Sequence, residues 1–544
     1  MPCITIDGRQ FEYDGHPMII QVALENGVEI PHYCYHPGLS IVASCRICLA
    51  EIAAPNPRND NRLELIPKLM PTCQTPAADG MVIHTRSPKA IANQKAVMEY
   101  LLINHPIDCP VCDQAGECHL QDYSYKYGRA ASRFEEDKVK QPKKDIGPNV
   151  LLYADRCIMC SRCVRFTREV TGTGEIGIFG RGHTEQIDVF PGRPLDNELS
   201  GNVVDLCPVG ALLDKDFLFE QRVWYLSQTP SIDGITASGD NVWIHHNEGR
   251  VYRIKPRANP DVNRWWISDE IRYGWKFIHG EDRLTSPTRQ QFGVQVECDW
   301  NRAYQEVRDG FRTVVNAGDA LAVMVSPMLS CEEAYLLGRI VRSLDSGAVL
   351  AIGPVPVEGE DRIFPGGYTL CAEKCPNWRG VRRALNALGG DEVLECDAFV
   401  DRLGAREGRI GGVLLTGNYP APWAGEALVK AVTKKFVVLI DTLVNDLTAK
   451  ADVLLPGATW TEKSGTFENA KSRLQSFARA IGVVELARCE GQIALDLAAV
   501  CGTAPRSVFD PRAVRAEMGG VFATDVHEPQ EGQEARSDMQ YVAL

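Results

Sequence analysis

The sequence has no long apolar run. Stretches such as Phe436–Ile440 (FVVLI) fall far short of the ~18–20 residues a membrane-spanning helix needs, so no spanning segment is expected. A basic excess is missing too. Lys and Arg number 58 against 71 Asp and Glu, for a net charge of −13, which argues against a non-specific nucleic-acid binder. The start, MPCITIDGRQFEYDG, shows no basic n-region leading into an apolar stretch, so no secretory signal is expected, nor an Arg/Ser-rich transit segment. No P-loop and no H-E-x-x-H occurs, which leaves the commonest phosphate and zinc-protease signatures out. What is present is an ordinary globular balance, 44% apolar and 24% charged, which excludes a disordered chain. At ~150 residues per domain the 544 residues suggest three to four domains.

Cysteine is the anomaly. There are 19, twelve of them within the first 207 residues. Without an export signal the chain is expected in a reducing compartment, where disulfides are rare and clustered cysteines read as metal ligands. After Cys3 they form three sets.

The first set is Cys34, Cys45, Cys48 and Cys73, spaced C-x10-C-x2-C-x24-C. It follows β-like segments at Cys3–Ile6 and Phe11–Tyr13 and a helical pattern over Ile19–Asn26, the order of a small β-grasp domain. Four thiolates from a long loop and one distant strand suit a [2Fe–2S] rhomb. The x10 spacing departs from the plant-type C-x4-C-x2-C. The alternative is a zinc knuckle.

The second set, in NHPIDCPVCDQAGECH, holds Cys109, Cys112 and Cys118, with His105 or His119 as a fourth ligand. The pattern upstream predicts a helix over Ile91–Asn104 that Pro106 ends. Three thiolates and one imidazole hold either zinc or a [4Fe–4S] cubane, so this motif alone is ambiguous. The third set, Cys157, Cys160, Cys163 and the remote Cys207-Pro208, is the most specific. C-x2-C-x2-C wraps three corners of a cubane and a distant Cys-Pro closes the fourth, whereas zinc ribbons use two separated C-x2-C pairs. Arg156, Arg162, Arg165 and Arg168 lie close by in sequence and could offset cluster charge. Taken singly, each reads as a solvated surface arginine.

Other signals are weaker. Gly172, Gly174 and Gly177 match G-x-G-x-x-G, but no apolar strand precedes them and no helix is expected after them, so they read as a glycine-rich loop and not a dinucleotide site. Tyr123, Tyr125 and Tyr127 alternate with polar residues, yet base stacking does not suit an acidic chain. Lys138–Asp145 (KVKQPKKD) reads as a solvated linker.

In this order the three motifs resemble the large, 75-kDa-type iron–sulfur subunit of respiratory complex I, NADH:quinone oxidoreductase. The matching residues lie within about the first 220. The resemblance implies one [2Fe–2S] cluster on Cys34, Cys45, Cys48 and Cys73, and two [4Fe–4S] clusters. His105, in preference to His119, joins Cys109, Cys112 and Cys118 on one; Cys157, Cys160, Cys163 and Cys207 hold the other. It implies a relay of single electrons from an NADH-oxidising flavin partner toward quinone. The chain would be peripheral, on the cytoplasmic side of a bacterial inner membrane, through further iron–sulfur and quinone-reducing partners, with no catalytic residue of its own. [FeFe] hydrogenases and some NAD-linked hydrogenase and formate dehydrogenase subunits share this N-terminal arrangement and are the alternatives, with a zinc-stapled interaction scaffold as a third. A hydrogenase needs further cysteine motifs, and Cys371-x3-Cys375 is the only close pair left.

The expected fold is α+β followed by α/β. A [2Fe–2S] ferredoxin-like domain spans 1–85, a small helical His/Cys3 domain 86–137 and a ferredoxin-like [4Fe–4S] domain 145–225. Residues 226–283 read as a small β-rich domain, with strands around Val242–His245 and Val251–Ile254. It resembles a complex I segment whose cluster cysteines are absent here, so no fourth cluster is expected. Over 284–505, strand candidates Leu321–Val325, Gly412–Leu415 and Phe436–Asp441 alternate with helical patterns at Glu332–Leu344 and Pro422–Thr433, which implies a parallel sheet. Leu454–Gln475 resembles the E-x-x-G-T-x-x-N segment of molybdopterin oxidoreductases, but the region is short. A scaffold without molybdenum or molybdopterin is expected, followed by a polar tail over 506–544.

Overall fold

The computed structural model describes residues 1–390, 392–405 and 408–529. It opens with the strands Cys3–Ile6 and Arg9–Glu12, an antiparallel hairpin. Asp7 and Gly8 form its turn, both at positive φ (47° and 85°), the geometry that matches strand twist. Val82–His84 runs parallel to the first strand, and Leu49–Asn56 pairs antiparallel with Val82–His84. The helix Ile19–Glu25 packs Ile19, Ile20, Val22 and Ala23 against Ile4, Ile6, Ile52 and Ile83. This is the expected mixed sheet clasping one helix.

The next helix spans Pro88–Leu102, and so starts three residues before the apolar pattern does. Ser87 accepts a hydrogen bond from Ala90 N at 3.3 Å, and Pro88 at the first position has no N–H to lose. A second helix, His119–Tyr127, begins directly after Cys118 and buries Leu120 and Tyr123. Tyr125 points to solvent, so the three tyrosines form no stacking platform.

The third module is built on Val150–Tyr153, flanked by Leu212–Asp214 and Lys143–Asp145. The KVKQPKKD segment is therefore not all linker. Its last three residues are an edge strand, a place where lysines are favoured because they block further pairing; the Lys143 ammonium also lies 4.5 Å from the Tyr153 ring centre. The glycine-rich loop leads into a hairpin, Ile176–Phe179 with Gln186–Val189, not into a helix. Gly172 sits at φ 75° and a Cβ there would stand 2.8 Å from Pro365.

Residues 226–283 carry three antiparallel strands, Ser227–Ile232, Asn241–Asn247 and Arg250–Pro256. Their core of Ile232, Val242, Ile244, Val251 and Ile254 contains no sulfur ligand.

The C-terminal half is a seven-stranded sheet. Its parallel part runs Val453–Pro456, Phe436–Asp441, Ile410–Thr416, Ala320–Val325, Val349–Ile352, with an antiparallel edge from Thr288–Gln291 and Val294–Glu297. The strands of its parallel part are apolar on both faces. Leu321, Val323 and Val325 meet the helices Trp300–Asn316, Cys331–Leu344 and Glu490–Cys501, while Ala322 and Met324 face Cys396–Gly404 and Glu426–Ala431.

The expected polar tail starts too early. Pro511–Met518 is a helix whose Asp510 cap accepts from Arg512 N at 3.0 Å. Val514 and Phe522 enter the main core, and buried Arg515 reaches Thr466 at 2.8 Å and Glu332 at 3.3 Å. Two apolar anchors, Val514 and Phe522, spaced among charges do not register as an element by composition. Residues 530–544 of that expectation lie outside the described residues.

Candidate metal centres

The loop before Leu49 turns sharply at Ala43 and Arg46, both at positive φ. It delivers Cys34 Sγ to 3.5 Å from Cys45 Sγ, and Cys48 Sγ to 3.5 Å from Cys73 Sγ. Two thiolates on one tetrahedral metal, with bonds of ~2.3 Å, stand about 3.8 Å apart, so the set is arranged as two metal-ready pairs. Sulfur–sulfur hydrogen bonding divides the set: the Cys34 and Cys48 thiols are pulled down, and Cys45 and Cys73 are pushed up. Buried Thr72 donates to Cys48 O at 3.0 Å and ties the remote strand to the loop.

The unusual ten-residue spacing has a structural use. Tyr35 and His36 are buried, His36 stacks on Trp266 at 5.3 Å, and a Cβ on Gly38 would collide with Trp265 at 2.7 Å. Ser40 is held by Glu169 through both its N (2.8 Å) and Oγ (2.5 Å). The additional residues dock the first set onto the modules that follow.

In the second set, Cys109 opens a 3-10 turn after Ile107, which sits at φ 53°. Cys112 and Cys118 both lean on the Cys207–Ala211 segment of the third set. Cys118 Sγ lies 4.0 Å from Pro208 O, and a Cβ on Gly210 would stand 2.3 Å from Cys112 Sγ. Burial pushes the Cys118 thiol up to about 12 and raises Cys112. Burial lowers His105 to about 4, which leaves a neutral imidazole with a free lone pair at neutral pH. The same pair, Asp108 and Arg156, acts electrostatically on His105 and on Cys112. His119 instead starts a helix and turns its ring toward Tyr123 at 6.4 Å.

The third set lines a cavity. Cys157, Cys160, Cys163 and Cys207 share it with Ile158, Leu152 and Val209. Met159 and Ser161, at φ 54° and 60°, bend the chain between the cysteines, and Met159 N donates to Cys157 Sγ at 3.3 Å. Burial drives all four thiols up, Cys157 to about 12 and Cys207 to about 11. Four thiols walling one cavity form a donor set whose thiolates a bound cation would stabilise against the cost of burial. Among the described residues no three His, Cys, Asp or Glu are placed to hold a single metal ion.

Three of the four arginines are not surface groups. Arg156, Arg162 and Arg165 are buried; Arg168 alone is exposed. Arg156 binds Asp108 at 2.5 Å and reaches Gly210 O, joining the second and third sets. Arg162 donates to Tyr35 O and Leu206 O, and Arg165 to Cys34 O and Cys160 O, joining the first and third. Net charge and composition carry no hint of this. The only available signal was that the arginines recur within the C-x2-C-x2-C loop.

Family models match in the same order. Residues 3–88 match a 2Fe-2S iron-sulfur cluster binding domain, and 94–133 the NADH-ubiquinone oxidoreductase-G iron-sulfur binding region. Residues 147–213 match the NADH-quinone oxidoreductase subunit 3 ferredoxin-like domain, and 394–500 the molybdopterin oxidoreductase model. Residues 226–276 match an NADH-ubiquinone oxidoreductase NDSU1/NuoG-like 4Fe-4S domain, although this chain has no cysteine there. An NADH-quinone oxidoreductase subunit of Rickettsia felis is 37% identical over 63% of this chain and 49% of its own. The 75 kDa subunit of NADH-ubiquinone oxidoreductase of Reclinomonas americana is 37% identical over 66% and 51%. The mitochondrial 78 kDa subunit of Neurospora crassa is 38% identical over 63% and 45%. The matches thus span about half the length of these curated relatives. A solved NAD+-reducing [NiFe]-hydrogenase chain is 28% identical, covering 41% of this chain and 91% of its own, with a TM-score of 0.35. No helix among the described residues is long and apolar enough to cross a membrane. The chain carries 2Fe-2S and 4Fe-4S binding domains ahead of a molybdopterin-oxidoreductase-like domain, and over 63% of its length it resembles the large iron–sulfur subunit of respiratory complex I.

Proposed function

We propose that this chain is the electron-transfer subunit of an NADH:quinone oxidoreductase. Cys34, Cys45, Cys48 and Cys73 would hold one [2Fe–2S] cluster. Two [4Fe–4S] clusters would sit on His105, Cys109, Cys112 and Cys118, and on Cys157, Cys160, Cys163 and Cys207. When bound, the clusters supply one-electron redox chemistry.

One observation carries the reading. Cys45, Cys118, Cys157, Cys160 and Cys207, drawn from all three sets, pack into a single apolar cluster with Tyr33, Met98, Leu120, Tyr123, Val209 and Ala211. Apolar side chains thereby surround sulfurs of all three sets and bring them close together, which supports three neighbouring redox sites. The buried arginines tie the sets together through backbone carbonyls, so ligand positions need not shift when charge changes. Electrons would come from an NADH-oxidising flavin subunit and leave toward quinone-reducing partners, with the chain docked peripherally on the cytoplasmic side of the membrane. Substrate chemistry belongs to those partners.

The test is metal and sulfide analysis of anaerobically purified full-length chain. About ten irons and as many sulfides are expected, with paramagnetism after dithionite, no stoichiometric molybdenum, and co-purification with a flavin-binding chain. Colourless protein with stoichiometric zinc overturns the proposal in favour of a scaffold.

A further inference from the structure

Some buried arginines in the N-terminal half face a carboxylate, while Arg257 is held by Ser231 O and Asn241 Oδ1. Arg156 holds Asp108 at 2.5 Å and Arg272 holds Asp205. Arg165 differs. It is buried, and its guanidinium makes four hydrogen bonds, all to uncharged oxygens. Nε donates to Ser161 Oγ at 3.3 Å and Nη1 to Ser40 O at 2.5 Å. Nη2 donates to Cys34 O at 2.5 Å and to Cys160 O at 3.3 Å. Among the described residues no carboxylate pairs with it. Glu169, one turn along, already uses both oxygens on Ser40.

A guanidinium does not shed its proton inside a protein, and a buried charge without a counter-charge is strongly unfavourable. The opposing charge must come from elsewhere. The thiols of Cys160 and Cys34, one from the third set and one from the first, act on Arg165 ahead of the Glu169 carboxylate. They belong to the same two residues whose carbonyls the guanidinium holds.

We propose that Arg165 is a positioning residue and shared counter-charge for the first and third cluster sites, raising the reduction potential of both. The inference rests on the iron–sulfur reading above. Reduction adds a negative charge to either site. A fixed cation between them, in surroundings of low dielectric, favours that charge at both. The second site is bordered instead by Arg156, whose charge Asp108 cancels, so it lies outside this effect.

The experiment is an EPR-monitored redox titration of the full-length chain, loaded anaerobically with iron and sulfide, as wild type, Arg165→Gln and Arg165→Lys. Arg165→Gln is expected to lower the midpoint potentials of the first and third sites together and leave the second unchanged. Arg165→Lys keeps the charge and is expected to restore both toward wild type. A purely structural strut would not produce that rescue. Unchanged potentials in Arg165→Gln, or a shift of the second site as large as the others, overturn the proposal. Loss of iron from the glutamine variant alone supports it, since the lysine variant keeps the charge that glutamine removes. Loss from both, with wild type loaded, marks a strut and overturns it. Wild-type chain that takes up no iron fails the underlying reading instead, and is seen before any variant is compared.

Discussion

Two histidines compete for the second site, and they differ in what surrounds them. His105 follows the end of Pro88–Leu102, sits in an environment that holds its imidazole neutral, and shares the Asp108–Arg156 pair with Cys112. His119 is committed to a ring contact with Tyr123, and its backbone N donates to Pro208 O at 3.2 Å. His105→Cys is therefore expected to keep a full complement of iron while lowering the potential of the second cluster, because an added thiolate makes it one unit more negative. His119→Ala is expected to leave that cluster's EPR signal intact. Loss of the signal in His119→Ala, with His105→Ala retaining it, reverses the assignment. At this scale the sequence was most informative. The x2 spacings of Cys157, Cys160 and Cys163 keep those thiols on one loop, and the fold walls one cavity with them and Cys207. Cys34 with Cys45 and Cys48 with Cys73, with ten and 24 residues between them, meet only through the fold. Burial of Arg156, Arg162 and Arg165 was not legible, since a charged residue reads as exposed until the carbonyls that receive it are known.

At the scale of elements, Cys207–Ala211 does more than close the third set. Cys207 walls one cavity, Pro208 O faces Cys118, and Gly210 backs onto Cys112. The Cys-Pro signature predicts the first role only. The others depend on which surface the segment meets, and nothing local encodes that. Gly210→Ala places a methyl 2.3 Å from Cys112 Sγ, which the sulfur can clear only by rotating away from its present position. The expected outcome is loss of about four irons of about ten, with the first site's EPR signal unaffected. Full iron retention in Gly210→Ala would mean that Cys112 is free to move and is not a fixed ligand. The ten-residue spacing after Cys34 teaches the same lesson. In the sequence it is a departure from the plant-type pattern. In the fold it is a docking loop, with Gly38 pressed on Trp265 and Ser40 gripped by Glu169. The helix that begins at Pro88 was readable in kind but not in extent, because its start depends on Ser87 rather than on apolar periodicity.

For the whole molecule, the question is what the large C-terminal sheet contributes. Its strands were readable because parallel strands covered on both faces are continuous apolar runs, and Phe436–Asp441 was legible to the residue. A doubly wound sheet binds ligands outside the carboxyl ends of its strands, where the strand order reverses. Here that point lies between Ala320–Val325 and Ile410–Thr416, and the protein's own side chains fill it. Ser326 N donates to Thr416 Oγ1 at 2.7 Å across the mouth. Tyr419 is buried over it, its hydroxyl donating to Pro354 O at 2.7 Å, and a Cβ on Gly353 would stand 2.8 Å from that hydroxyl. Next to it, Asp441 accepts from Asn418 N at 2.8 Å, Trp423 Nε1 at 2.9 Å and Asn445 Nδ2 at 2.7 Å. The chain's own hydrogen-bonded groups occupy the crevice where a pterin nucleotide would enter, with Thr442 Oγ1 beside it left without a partner. Full-length chain from cells supplied with molybdate is therefore expected to carry its iron and far less than one molybdenum per chain by elemental analysis. Tyr419→Ala is expected to lower the melting temperature, because it empties a filled site, without changing the molybdenum content. One molybdenum per chain in the wild type would show that the closed mouth opens for a cofactor, and the sheet would then have to be read as a second redox centre rather than a scaffold.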